Sequence, residues 1–393
     1  MAEVSIMMVA GERSGDVHGG QLALALRGLW PDLEIFGCGG EEMGHGGVET
    51  VVDSHQFAMV GITEVISGLP RAYQAFHRLM REAARRKPQL AVLIDSPSLN
   101  MRLAKRLKKI GIPVLYFISP QVWAWKKWRL QQLTKLVDRM VCIFDFEEGI
   151  YQKAGIPVSY VGHPLVDRVR PLRTREEFFR EAGLNQELPL VALLPGSREV
   201  ELRYNLPAII QAVAGLASER PVQFALALAP GHDKAQLESR IRHIETRPLP
   251  LHVLTNSTYD ALAYATVAVV ASGTATVEAA LLECPMVVVY RISPVTAFFT
   301  RFMIDVPFYS MVNLLAGKRV AAELIQNDFT VENVEAEVKR LLDSAACREG
   351  MRQELRSITA RLGGGGAIGR AADAVIDMLN SAELTSSSLK PLI

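Results

Sequence analysis

The chain is 393 residues long, 49% hydrophobic and 22% charged, with a formal net charge of +1. That length suits two ordinary domains, and that composition a packed globular protein. Its four cysteines, Cys38, Cys142, Cys284 and Cys347, match no zinc or Cys-x-x-Cys spacing, and no apolar run approaches the ~20 residues of a spanning helix, which excludes a zinc module and an integral membrane protein.

Apolar strand-like runs alternate with helical patterns along the chain, as in parallel α/β units. The opening MAEVSIMMVAGERSGD runs straight into a strand and a turn rather than a secretory leader. Strands are expected at 4–9, 34–37, 90–94, 114–118, 139–144 and 159–161, then at 188–194, 223–229, 252–254, 267–271 and 286–289. The fold class is therefore α/β, with two doubly wound Rossmann-like halves that imply a cleft between them. Val166-Asp167-Arg168-Val169-Arg170-Pro171-Leu172-Arg173-Thr174 follows neither period and reads as the linker. The expected domains are 1–168 and 169–362. A C-terminal helix over 363–380 should pack back on the first domain, and 381–393 should be a disordered tail. The glycine run Gly363-Gly364-Gly365-Gly366 reads as a hinge or helix break, because no strand precedes it as a phosphate loop requires.

Several strand ends carry chemistry. Gly11-Glu12-Arg13-Ser14-Gly15-Asp16 follows the first strand and is neither a Walker A loop nor GxGxxG. Its glycines allow a tight turn that presents Glu12 and Ser14, while Asp16 reads equally well as a helix N-cap. Asp95 ends Ala91-Val92-Leu93-Ile94-Asp95-Ser96-Pro97. A carboxylate there is costly unless it serves the mouth of the sheet, where a general base would reach a substrate hydroxyl. Ser119-Pro120-Gln121-Val122-Trp123-Ala124-Trp125 offers aromatic faces to a sugar, or plain core. His163, after the sixth strand, reads as a structural hydrogen-bonder.

The strongest signal lies in the second half. Leu193-Leu194-Pro195-Gly196-Ser197-Arg198 delivers an arginine to the carboxyl end of a buried strand, where ligands bind in open α/β sheets. Ala271-Ser272-Gly273-Thr274 is a second strand end, opening a helix that carries Glu278 one turn in. A helix N-terminus and a guanidinium facing one crevice would hold a diphosphate. No Asp-x-Asp dyad stands in a suitable strand context, so neither a metal nor another cofactor is expected.

Between residues 66 and 139 stand 16 Lys/Arg against Glu82, Asp95 and Asp138. The preceding stretch, 57–76, is unusually apolar, with Val65, Ile66, Leu69, Tyr73 and Phe76 near helical spacing and Pro70 expected to end or kink the first turn. Apolar residues beside a basic run read as a contact with an anionic membrane surface. The alternative is an ordinary buried helix. No recognised nucleic-acid module accompanies the basic stretch, so nucleic acid is not an expected partner.

Taken in order, these motifs resemble those of lipid A disaccharide synthases, bacterial glycosyltransferases of the GT-B architecture, from about residue 4 to residue 379. Gly11 to Asp16 is similar to the family's Gly-Glu-x-Ser-Gly-Asp, and Met59-Val60-Gly61-Ile62-Thr63-Glu64-Val65 to its Met-Gly-containing loop. Ile94-Asp95-Ser96-Pro97 carries the aspartate the family needs. Residues 119–125 resemble Ser-Pro-x-Val-Trp-Ala-Trp, and residues 193–198 resemble Leu-Leu-Pro-Gly-Ser-Arg, with Glu201 downstream. Residues 271–278 resemble Ala-Ser-Gly-Thr-Ala-Thr-Leu-Glu. Pro285-Met286-Val287-Val288-Val289-Tyr290-Arg291 and Asn313-Leu314-Leu315-Ala316-Gly317 complete the set. Where many members carry a second acid after Ser-Pro, this chain has Ser98, which leaves Asp95 alone or with Glu12.

The resemblance implies transfer of a sugar from UDP-2,3-diacylglucosamine to 2,3-diacylglucosamine 1-phosphate, with inversion, at the cytoplasmic face of the inner membrane. It implies Asp95 as base, with Glu12 and Arg198 in the catalytic set. Ser197, Arg198, Ser272, Gly273, Thr274, Glu278, Arg291 and Asn313 would hold the UDP donor. Ser14 and Trp123 would meet the acceptor, and Val65, Leu69 and Phe76 the lipid. A homodimer is compatible with it. The rival is a non-hydrolysing UDP-N-acetylglucosamine 2-epimerase, whose soluble substrate gives the apolar 57–76 segment no purpose, or a non-catalytic nucleotide-sugar-binding protein.

Overall fold

A computed structural model describes residues 4–57, 62–120, 128–293 and 307–387, with side chains described except at 62–69, 128–129 and 382–387. The chain forms two compact units. The first comprises Met1–Asp167 with Leu362–Ile393, and the second Arg168–Arg361.

The first unit is built on a parallel seven-stranded sheet. Its strands are β1 (Ser5–Ala10), β2 (Glu34–Gly39), β3 (Glu49–Asp53), β4 (Leu90–Ile94), β5 (Val114–Phe117), β6 (Arg139–Cys142) and β7 (Val158–Tyr160), in the spatial order β3-β2-β1-β4-β5-β6-β7. Every residue of β1, β4 and β5 is buried, which is why they read as unbroken apolar runs. The order reverses between β1 and β4, whose last residues Ala10 and Ile94 are register partners. Ligands of such sheets bind at this reversal, outside the carboxyl ends of the strands.

β3 lies outside the expected strands. It is an edge strand on which only Val52 is buried, so it lacks the apolar run that marks its neighbours. Arg86 pins it, reaching Glu49 at 2.5 Å, Glu34 at 2.8 Å and Glu82 at 3.0 Å while lying over the Phe36 ring. Arg86 closes the helix Ile62–Arg86, which runs through Pro70 without a break. The expectation that Pro70 ends the first turn is corrected: the helix absorbs one missing N–H within 25 residues of ladder.

At the C-terminus, Gly363, Gly365 and Gly366 adopt φ of 90°, 81° and 71°, a tight turn that side chains would strain. Gly366 N–H donates to the Asp167 carboxylate at 2.9 Å, and the Leu362 carbonyl accepts from His163 N–H at 2.7 Å. The helix that follows, Ala367–Ser387, packs against Arg13–Leu29. Residues 381–387 are helical where disorder was expected, since Ala382, Glu383 and Leu384 favour continuing the helix. Residues 388–393 lie outside the described residues.

The second unit repeats the plan with β8 (Leu190–Leu194), β9 (Gln223–Leu228), β10 (Leu251–Thr255), β11 (Val267–Ala271), β12 (Met286–Tyr290) and β13 (Ala322–Ile325), all parallel, in the order β10-β9-β8-β11-β12-β13. Here the reversal falls between β8 and β11. The strand missed from the sequence, β13, is again at an edge. Fully buried Asp260 accepts Leu172 N–H, Arg173 N–H and the Arg173 guanidinium, fastening the linker to this unit.

Candidate functional site

In the first unit the chain leaves β1 through Gly11 and Glu12 and leaves β4 through Asp95 and Ser96. The two turns touch: a Cβ on Gly11 would stand 2.9 Å from Ser96 Oγ. A side chain at Gly11 would require Ser96 and Leu99 to shift. Ser14, in the first turn of the helix Arg13–Leu29, lies with its Oγ 3.4 Å from Asp95 Oδ2, and Glu12 is exposed beside them. Three residues singled out from sequence therefore share one corner of the sheet. Asp95 and Ser96 both hold left-handed backbone, at φ 50° and 42°.

Asp16 serves another purpose. It is buried, and its carboxylate accepts the N–H groups of Gly40 at 2.6 Å and of Glu42 and Met43 at 3.1 Å. It caps the neighbouring helix Glu41–His45 rather than its own. His163 is structural as expected. It is buried against Phe144, its Nδ1 accepts Leu165 N–H at 3.2 Å, and burial, reinforced by His18, pushes its pKa down to about 3. Ser119 Oγ donates to buried Glu147 at 2.6 Å. Trp123 and Trp125 lie outside the described residues, as does 58–61.

The lipid-facing set divides. The side chains of Val65, Ile66 and Leu69 fall outside those described. Tyr73 is 66% exposed, and Arg71, Arg78, Arg81 and Arg85 are exposed along the same helix. Phe76 is corrected: it packs against the core, beside buried Ala75 and Leu79.

In the second unit β8 and β11 end side by side, with Leu194 paired to Val270. The turn after β8 is shaped by Glu201, whose buried carboxylate accepts Ser197 N–H at 2.8 Å, Arg198 N–H at 3.2 Å and Arg198 Nη1 at 3.0 Å. Gly196, at φ 133°, has no room for a side chain, because a Cβ would meet Glu201 Cβ at 2.4 Å. Asn205, fully buried, donates to the Pro195 carbonyl at 2.8 Å and accepts Arg291 N–H at 2.9 Å. His232 Nε2 is 2.9 Å from the Ser197 carbonyl. The Arg198 side chain remains half exposed, at 52%.

After β11, Ser272 Oγ donates to the Tyr309 carbonyl at 2.9 Å, Gly273 takes φ 146°, and Gly273 and Thr274 are exposed. No side chain caps the helix Thr274–Leu281, so its first turn offers N–H groups and a positive dipole end to an anion. Glu278, one turn in, accepts the Tyr259 hydroxyl at 3.1 Å, and burial raises its pKa.

Of two further expected donor contacts, Asn313 is corrected. Arg291 turns its guanidinium onto the carbonyls of Phe329 and Gln326, over the Phe329 ring. Asn313 is fully buried, donates to the Ala321 carbonyl and Glu323, and accepts Val320 and Ala321 N–H. Asn313 has its polar groups committed within the fold and organises a loop rather than facing a ligand, whereas the bonds of Arg291 run through its backbone N–H and Nη2. Among the described residues no group of three or more His, Cys, Asp or Glu is arranged to hold a metal ion, and no helix is long and apolar enough to cross a membrane.

The fold is shared with an epimerase and a glycosyltransferase of known structure. The UDP-GlcNAc 2-epimerase from Neisseria meningitidis bound to UDP-GlcNAc aligns with a TM-score of 0.61 at 12% identity, over 96% of this chain and 100% of that one. The calicheamicin glycosyltransferase CalG4 aligns with a TM-score of 0.58 at 16% identity, over 97% and 99%. Sequence relatives are much nearer. The lipid-A-disaccharide synthase of Myxococcus xanthus is 43% identical over 375 residues, 95% of this chain and 97% of its own. That of Geobacter metallireducens is 41% identical over the same shares. The family described as lipid-A-disaccharide synthetase matches residues 6–363. Together with the two strand-end sites, this places the chain in the lipid-A-disaccharide synthase family of GT-B glycosyltransferases.

Proposed function

We propose that this chain catalyses one inverting glycosyl transfer. UDP-2,3-diacylglucosamine gives its sugar to the 6-hydroxyl of 2,3-diacylglucosamine 1-phosphate, producing the β-1,6-linked disaccharide 1-phosphate and UDP. Asp95 takes the hydroxyl proton as the oxygen attacks the anomeric carbon, with Ser14 and Glu12 at the acceptor. The bond from that carbon to the diphosphate breaks, and its electron pair stays on UDP. Arg198 and the N–H groups at Gly273–Thr274 stabilise the charge that develops there. Glu278, one helical turn away, would accept the ribose hydroxyls. Both substrates carry acyl chains, so the exposed Tyr73 and the arginines along its helix would rest on an anionic membrane surface on the cytoplasmic side.

The observation that carries this reading is the complementary chemistry of the two sheet reversals: carboxylate and hydroxyl in the first unit, guanidinium and uncapped helix N-terminus in the second. The test is incubation of the purified protein with both lipids, followed by mass spectrometry. Disaccharide 1-phosphate and UDP in equal amounts are expected. Neither product, or epimerisation of a UDP-sugar instead, overturns it.

A further inference from the structure

Asp95 occupies a conformation that its neighbours must enforce. Continuing β4 by one extended residue would put Asp95 on the face of Ala91 and Leu93, because side chains alternate along a strand. Ala91 and Leu93 belong to the buried core of the unit. The chain avoids that burial by turning left-handed at Asp95 and again at Ser96. Two consecutive non-glycine residues in that region persist only where the surroundings over-determine them.

The surroundings here are two fully buried polar side chains from different elements. Tyr116, on β5, donates its hydroxyl to the Asp95 carbonyl at 2.5 Å. Asn100, in the first helical turn after Pro97, donates its amide to the same carbonyl at 2.7 Å and to the Ile94 carbonyl at 2.9 Å. In doing so Asn100 leaves its Oδ1 buried and without a hydrogen-bond partner. That cost marks an orientation selected for what the amide donates to. Burial and the Asp95 charge keep the Tyr116 phenol protonated, so it can only donate to the carbonyl.

We propose that Tyr116 and Asn100 are positioning residues for the carboxylate of Asp95: by gripping its carbonyl from below, they hold the left-handed turn that lifts the side chain to the sheet mouth beside Ser14. The inference rests on the reading of Asp95 as the base and adds the device that aims it. Neither residue touches substrate. Their effect falls on turnover and not on binding, since displacement of a reacting group by about 1 Å can cost roughly 10²-fold in rate.

The experiment is a double-mutant cycle on the full chain, with Tyr116→Phe made in the parent and in Asp95→Asn. Turnover, the KM of both substrates, UDP affinity and melting temperature are measured. Phenylalanine fills the same volume and removes only the donor. The expected result is a roughly 10-fold or larger loss of turnover in the parent, KM and UDP affinity within twofold, and no further loss in Asp95→Asn. An equal loss in both backgrounds, or turnover within twofold of the parent, overturns the positioning role. If Tyr116→Phe fails to fold, Asn100→Ser takes its place in the cycle under the same criteria. Full activity of Asp95→Asn alone would instead remove the base reading, so the two failures are told apart.

Discussion

The two sheet reversals share a topology and differ in how they tolerate awkward backbone. In the second unit the left-handed positions are Gly196 and Gly273, and what is presented is backbone N–H with one half-exposed guanidinium. In the first unit they are Asp95 and Ser96, and what is presented is a side chain. A diphosphate spreads its charge over several oxygens and is met by dipoles that glycine leaves uncovered. A base must bring one carboxylate to one hydroxyl, so glycine cannot serve, and a buried clamp takes its place. On the proposed reading, the same fold builds an anion cradle from absent side chains and an acid–base site from a constrained one.

The sharpest way to break this contrast is to disable each reversal separately. Asp95→Asn should lower turnover by about 10²–10⁴-fold, the usual range for a lost general base, with the melting temperature nearly unchanged; steady-state kinetics check it, and activity within threefold of the parent would remove the role. Arg198→Ala should lower turnover by about 10²-fold, because it removes charge stabilisation that grows as the glycosidic bond breaks. Normal kinetics in that variant would move the diphosphate elsewhere.

A smaller effect is expected at the membrane. Serine at Val65, Leu69 and Tyr73 should weaken flotation with anionic vesicles by about 10-fold and leave the fold intact, since Tyr73 is exposed. A variant that unfolds, or that floats like the parent, returns this segment to the core.

Away from both reversals, His163 predicts a pH response. Its pKa is depressed by burial to about 3, so below the ordinary value near 6.5 the unfolded chain takes up a proton that the folded chain does not. The stability it supports is complete above about pH 6.5 and declines as pH falls toward 3, by at most about 1.4 kcal/mol per pH unit. Thermal melts from pH 7 to pH 5 should show the decline, and His163→Asn should flatten it; an unchanged slope contradicts the assignment. Chelation should do least of all. With the guanidinium and the helix N-terminus serving the diphosphate, turnover should survive EDTA, and loss of activity restored by Mg²⁺ or Mn²⁺ would show that they do not suffice.

Legibility in the sequence followed burial. β4 and β11 were readable to the residue because both faces are covered and every position is apolar. β3 and β13, each at one edge of its sheet, were not, because partial exposure mixes polar residues into them. Asp95, Ser14, Arg198 and the Ser272–Thr274 turn were visible because each follows an apolar run into small residues. The residues that hold them were not. Tyr116 lies 21 positions from Asp95 and reads as one more apolar strand residue. Asn205 and Asn313 give no local sign of the turns they brace. Glu201 was noted within a motif, but its grip on Ser197 and Arg198 needs coordinates. Asn313 was misread for a related reason: a polar residue beside a glycine turn looks alike whether it serves a ligand or a loop.

The division of labour between the reversals is tested most directly by calorimetric titration of UDP into the parent, Asp95→Asn and Arg198→Ala. Asp95→Asn should bind UDP as the parent does, within twofold, while Arg198→Ala should bind about 10-fold or more weakly, as expected for loss of a charge-assisted hydrogen bond. Equal UDP affinity in all three proteins, or a loss confined to Asp95→Asn, would contradict that division.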